Sequence, residues 1–239
     1  MPHLQTWRGE PTLETLHALL ESTRPLHRLK ITFRDEYEPM APPLLSLPSS
    51  PPPLFALYVK TEQPDVVLAL VRAVGATLQH LSIYFEHPLP PETTLSSLRT
   101  TTSSLRRLSL HLNLSSQWAQ DRIVFKELLP EFTVLEKLVF STDLVATADV
   151  VWKAPPSLRW MEIVAYDEAG TIVKDIIDYI PFITTPLHLR QLIIRCEEPD
   201  VEELVDVLPG AIAALRSKGT AFLVSFDSET PAHEFFGSL

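Results

Sequence analysis

The chain has 239 residues, 45% hydrophobic and 21% charged, with thirty acids against twenty bases for a net charge of −10. It has apolar material for a substantial core and too few charges for a disordered chain, and no run approaches the roughly 18 to 20 apolar residues of a membrane span. The negative balance argues against binding nucleic acid or a membrane surface through bulk charge and leaves open only a local basic face.

In chain order, one motif recurs: an apolar residue, two others, an apolar residue, one other, an apolar residue. A weak helical stretch over 11–23 leads into its first full copy, Leu26/Leu29/Ile31. From Pro39 to Pro53, seven of fifteen residues are proline, which can neither extend a helix nor donate to a sheet ladder. This segment reads as a loop insertion tolerated in place of a helix; the alternative is a ligand for an aromatic-lined groove. The motif returns at Leu54/Leu57/Val59 and, after a weak helical pattern over 65–77, at Leu78/Leu81/Ile83. The Thr/Ser stretch from Thr93 to Ser104 is a poor helix former within a weak helical pattern over 92–104, and Leu105/Leu108/Leu110 follows it. A weak helical pattern runs over 118–132, then come Leu135/Leu138/Phe140 and Leu158/Met161/Ile163. Ile172, Val173, Ile176, Ile177, Ile180 and Ile183 have amphipathic helical spacing and precede Leu189/Leu192/Ile194. Val201, Leu204, Val205, Leu208, Ile212 and Leu215 repeat that spacing behind an Asp200/Glu203 capping pair, and a degenerate copy closes the series at Gly219/Phe222/Val224.

The copies recur every 23 to 31 residues, the length of one strand plus one helix in a horseshoe unit. Alternation of strand and helix, with right-handed crossovers between neighbouring parallel strands, predicts one α/β domain over 1–239. Its expected form is a right-handed β/α leucine-rich-repeat solenoid with a parallel sheet on the concave face, interrupted by the insertion at 39–53.

In each strand the residues between the pattern leucines point to the opposite, concave face. The first three strands supply Arg28, Lys30 and Thr32; Ala56, Tyr58 and Lys60; and His80, Ser82 and Tyr84. The next two supply Arg107, Ser109 and His111, then Lys137, Val139 and Ser141. The last two supply Trp160, Glu162 and Val164, then Gln191, Ile193 and Arg195. Six of the twenty bases fall in this set, against one of the thirty acids, which inverts the overall charge balance. A basic strip carrying Tyr58, Tyr84 and Trp160 suits an acidic or phosphorylated protein segment. The competing explanation is that basic side chains cover apolar surface with their stems while the acids gather on helices. Single-stranded nucleic acid is a weaker reading, since the surrounding charge repels phosphate and no nucleic-acid motif is present.

Catalytic signatures are missing: the sequence has no GxSxG, GxGxxG, Walker, HExxH or CxxC pattern, so no enzyme activity, metal or cofactor is expected. Concave positions His80 and His111 differ by four residues along their strands, about 13 Å, too far to share a zinc ion. Cys196 is alone in the chain and reads as a small semi-buried hydrophobe. With no disulfide partner for it, and no basic leader at Met1-Pro2-His3-Leu4, a reduced intracellular setting, cytoplasmic or nuclear, is expected. Glu197, Glu198, Asp200, Glu202 and Glu203 suit a helix start, and Asp175 and Asp178 a solvated helix face.

Laid out in this way, the chain resembles the irregular leucine-rich-repeat horseshoes that form the C-terminal part of F-box proteins, above all fungal F-box-like ones. Met1 to Pro11 looks like the inside of such a solenoid, with Leu4 and Trp7 in a preceding repeat. The resemblance implies the substrate-recruiting portion of a ubiquitin-ligase adaptor, although no stretch reads as the F-box itself. The asparagine usual at the ninth repeat position appears only as Asn113; Arg34, Glu62, Glu86, Asp143, Tyr166 and Glu197 replace it, so charged residues at this position must reach solvent or a partner. A structural scaffold without a ligase role is the alternative function, and a hydrolytic enzyme a distant one.

Overall fold

The computed structural model describes residues 5–21, 26–32, 53–62, 64–85, 91–112, 125, 127–142, 150–151, 153–165, 169–179, 188–196 and 201–225. Among the described residues nine strands form one parallel sheet: β1 Gln5–Gly9, β2 Leu26–Thr32, β3 Ala56–Thr61, β4 His80–Phe85, β5 Arg107–Leu112, β6 Lys137–Ser141, β7 Trp160–Ala165, β8 Gln191–Cys196 and β9 Ala221–Ser225. Their order in the sheet is their order in the chain. Five α-helices of the described residues lie between them: α1 Leu13–Glu21, α2 Pro64–Val74, α3 Pro91–Arg99, α4 Ala169–Tyr179 and α5 Val201–Ser217. None is long and apolar enough to cross a membrane.

Every full copy of the motif becomes a strand, and the copies align. Leu29, Leu57, Leu81, Leu108, Leu138, Met161, Leu192 and Phe222 form one row across β2–β9, and Ile31, Val59, Ile83, Leu110, Phe140, Ile163, Ile194 and Val224 the next. Apart from the half-buried Val224, these rows are buried and join one core with Val67, Leu70 and Val71 of α2 and Val173 and Ile176 of α4. Trp7 extends the first row onto β1, opposite Leu29, and packs against the same core.

The alignment has a backbone cause. At each step one carbonyl accepts hydrogen bonds from two successive N–H groups of the next unit: Phe55 from Gln79 and His80, Gln79 from Arg106 and Arg107, Arg106 from Glu136 and Lys137, Glu136 from Arg159 and Trp160, and Arg159 from Arg190 and Gln191. Repetition of this contact locks the register from β3 to β8, so a residue's place in its motif sets its row in the sheet.

Helix α3 forms although four of its nine residues, Thr93, Thr94, Ser96 and Ser97, are Thr or Ser. Ser97 Oγ donates to the Thr93 carbonyl at 2.8 Å, and Thr101 Oγ1 to that of Leu98 at 2.7 Å, which lets both be buried. Beyond Arg99 the chain continues in turns to Ser104, whose hydroxyl donates to the Gly75 carbonyl at 2.8 Å. This is a close approach: a Cβ on Gly75 would lie 2.3 Å from Thr100 Oγ1 and 3.1 Å from the Thr100 backbone carbon. Gly75→Ala is therefore expected to cost about 1 to 3 kcal/mol through overpacking, read as a lower midpoint in urea unfolding. An unchanged midpoint would show that the two units are not in tight contact here.

One helical expectation is corrected, and α5 forms as expected but turns part of its apolar stripe outward. Of 118–132, the described residues 125 and 127–132 form turns and a single 3-10 turn at Leu129–Glu131, where Pro130 lacks the N–H that a longer helix would use. Phe125 and Phe132 still reach the core, stacked at 6.3 Å. On α5 the core-facing stripe runs through the buried Leu204, Ala211 and Leu215 and the half-buried Leu208, while Val205 and Ile212 are 60% and 38% exposed. Ala211 brings α5 close to its neighbours, and Val205 and Ile212 follow Leu204 and Ala211 by one residue, a rotation of about 100° away from that contact. The helix ends in a Schellman turn: Thr220 N–H donates to the Leu215 carbonyl and Gly219 N–H to that of Arg216, with Gly219 at φ +83°. The proline-rich segment from Pro39 to Pro52, the acidic residues 197–200 and ninth positions 34, 86, 113, 143, 166 and 197 lie outside the described residues. Glu62, the remaining ninth position, is half-buried, Cys196 is fully buried at the end of β8, Asp175 is half-buried and Asp178 exposed.

Candidate functional site

Residues alternating with the core rows fall into three further rows on the opposite face of the sheet. The first contains Arg28, Ala56, His80, Arg107, Lys137, Trp160 and Gln191 on successive strands. In the second, Arg8, Lys30, Tyr58, Ser82, Ser109, Val139, Glu162 and Ile193 are aligned. The third begins with Thr32, Lys60, Tyr84 and His111, and Val164 and Arg195 continue it on β7 and β8. All eleven sequence-predicted site residues thus share one face, and each is half-buried.

The strip is organised by cross-strand pairing. Lys30 Nζ lies 4.6 Å from the Tyr58 ring centroid, Lys60 Nζ 5.4 Å from that of Tyr84, and Lys137 Nζ 3.5 Å from that of Trp160. In every case the lysine and the ring are directly opposed, with the lysine on the earlier strand. Each contact contributes about 0.5 to 2 kcal/mol and holds an ammonium in place without neutralising its charge. Burial, and then the charge of Arg8, lowers the pKa of Lys30. Burial raises that of Tyr58, with Lys60 opposing and Tyr84 adding to the shift.

Arg8 belongs to this face but was not anticipated. It lies opposite Lys30, exposed, and carries the basic strip onto β1; the signal available was its place directly after Trp7. Arg195, in contrast, is bound by Glu162, the only acid in the rows, with side-chain exposures of 19% and 6%. The other cations of the rows, Arg8, Arg28, Lys30, Lys60, Arg107 and Lys137, consequently concentrate positive charge on β1–β6. Past β8, Leu223 on β9 is 51% exposed.

His111 stacks on Tyr84 at 6.2 Å and shares a 2.8 Å hydrogen bond between its Nε2 and Ser109 Oγ. Burial, and then the charge of Arg195, lowers its pKa to about 4, so the imidazole is neutral at pH 7. A serine next to a histidine invites comparison with a nucleophile and its base. Here Ser109 is buried, the charge acting on the imidazole is a guanidinium where a triad has a carboxylate, and a pKa near 4 makes a weak base. The arrangement fits a polar packing contact. His80 lies opposite Arg107 and His111 opposite Tyr84, a separation of four residues along adjacent strands. Among the described residues no cluster of three or more His, Cys, Asp or Glu side chains is placed to hold a metal ion. Burial raises the pKa of the Cys196 thiol.

No protein-family model, curated protein or solved structure matches the chain.

Proposed function

We propose that the chain is an irregular leucine-rich-repeat solenoid that serves as a protein-interaction module and binds an acidic or phosphorylated partner segment on the face described above. One observation carries this reading: sequential strand order and common register line up Arg8, Arg28, Lys30, Lys60, Arg107 and Lys137, interleaved with Tyr58, Tyr84 and Trp160, in a protein of net charge −10. Such a surface focuses positive potential where an extended acidic chain could lie, and its aromatic and arginine side chains are types that dominate binding hot spots. The role proposed for it is the substrate-recruiting portion of an F-box-type ubiquitin-ligase adaptor, in a reduced intracellular compartment.

A fluorescent glutamate-rich peptide, followed by anisotropy at low salt, tests the surface. The double charge reversal Lys60→Glu/Lys137→Glu is expected to weaken binding at least about tenfold, and added salt to weaken it in the unaltered protein. If the reversal has no effect and deletion of 39–53 abolishes partner binding, the protein is a scaffold that works through its proline-rich segment.

A further inference from the structure

The cations on this face differ in what already holds them. Lys30, Lys60 and Lys137 lie over rings, and Arg195 is held by Glu162. Arg28 and Arg107 have neither an ion pair nor a ring contact among the described residues. They occupy one row with His80: Arg28 is opposite Ala56, Ala56 opposite His80, and His80 opposite Arg107. At about 4.8 Å per strand the two arginine backbones are about 14 Å apart, a gap that two extended guanidinium side chains can close from either side. Ala56 leaves Arg28 room to do so, since it fills its place in the row with a methyl group.

His80 registers this crowding. Burial first, and then the charges of Arg107, Arg28 and Arg106, lower its pKa to about 4. Arg106 is compensated by Glu136 at 3.0 Å, so Arg28 and Arg107 supply the unbalanced field. His80 Nδ1 is also buried without a hydrogen-bond partner, as is the hydroxyl of Ser82, 1% exposed and two residues further along β4. Orphaned polar atoms beside unopposed guanidiniums suit an anionic group with several acceptor oxygens.

We infer that Arg28, His80 and Arg107 form a subsite for the phosphoryl group of a phosphorylated side chain, an inference that rests on this face being the partner-binding surface. A phosphate monoester carries close to two negative charges and three acceptor oxygens at pH 7, enough to balance both arginines and still accept from the imidazole; a carboxylate balances only one.

The test uses the full chain with histidine labelled at 13Cε1, observed by NMR. Phenyl phosphate is the probe, phenylacetate the carboxylate control and inorganic phosphate the free-ion control. The His80 resonance is expected to move saturably with phenyl phosphate, while the other histidines stay in place. Arg28→Gln and Arg107→Gln should each weaken the response about tenfold, with the remaining histidine signals showing that the variants are folded. Phenylacetate should bind more weakly than phenyl phosphate. A non-saturating shift, one shared among several histidines, or one that survives in both arginine variants overturns the subsite. Inorganic phosphate binding as tightly as phenyl phosphate would assign the site to the free ion and overturn the modified side chain as its source. If phenyl phosphate fails while the glutamate-rich peptide still binds and still depends on Lys60 and Lys137, only the subsite falls; failure of both probes removes the binding surface itself.

Discussion

Arg195→Met is expected to destabilise the protein by about 3 kcal/mol or more, because it leaves the Glu162 carboxylate buried in the sheet without the guanidinium that balances it. The double variant Arg195→Met/Glu162→Leu is expected to recover most of that loss. Removing both charges also removes the cost of keeping them out of water, and side chains of similar length refill the space. Urea unfolding of the two single variants and the double variant measures the coupling directly. A single variant within about 0.5 kcal/mol of the unaltered protein, or a double no better than the single, would contradict a buried pair whose charges depend on each other.

Acidification should produce the second large effect. His111 titrates near 4 in the folded protein against 6.5 for an ordinary histidine, chiefly because it is buried and secondarily because Arg195 repels a second positive charge. Between these values the unfolded chain binds a proton that the folded one refuses. Stability therefore rises with pH across this window and is lost as pH falls from 6.5 towards 4. His111 contributes on the order of 3 kcal/mol to that loss. His80 acts in the same direction, and by less, because solvent reaches it more easily. His111→Gln, which keeps a hydrogen-bonding group beside Ser109, should flatten the profile between pH 6.5 and 4; an unchanged profile would place the acid sensitivity elsewhere. The two predictions are coupled: Arg195→Met removes a charge that depresses His111, so it should raise the folded-state pKa of His111 towards 6.5 and reduce the share of the acid-induced loss that this histidine supplies.

What the sequence disclosed followed from how directly each feature depends on spacing along the chain. The leucine motif announced β2 to β9 because a two-residue alternation and a unit length of 23 to 31 residues are properties of the chain itself. Strands β3 to β8 begin two residues after the first apolar residue of their motifs, as at Leu54 and Ala56. The intervening backbone bonds to a shared carbonyl before regular pairing starts, and no side-chain pattern encodes that. The rows on the opposite face were legible as positions, because alternation along each strand puts Arg28, Lys60, Arg107 and Lys137 on one side of the sheet. Their partnerships were less accessible. Lys137 over Trp160 depends on two units 23 residues apart being in register, and Glu162 with Arg195 on a diagonal reach between strands. Local chemistry overrode periodicity at Pro130, which breaks an otherwise helical apolar pattern, and on α5, where packing chose the Ala211 side over Val205 and Ile212.

Sequential strand order has a consequence for how the molecule comes apart. Among the described residues each strand is hydrogen-bonded only to the strands before and after it in the chain, so disruption at one end need not travel to the other. Peeling away β9 and α5 removes the exposed Leu223 border and leaves the ammonium and guanidinium groups of β2–β6 with their bracing neighbours. Damage at that margin, by a protease or by tension, would shorten the ribbon while sparing the surface on which recognition is proposed to occur.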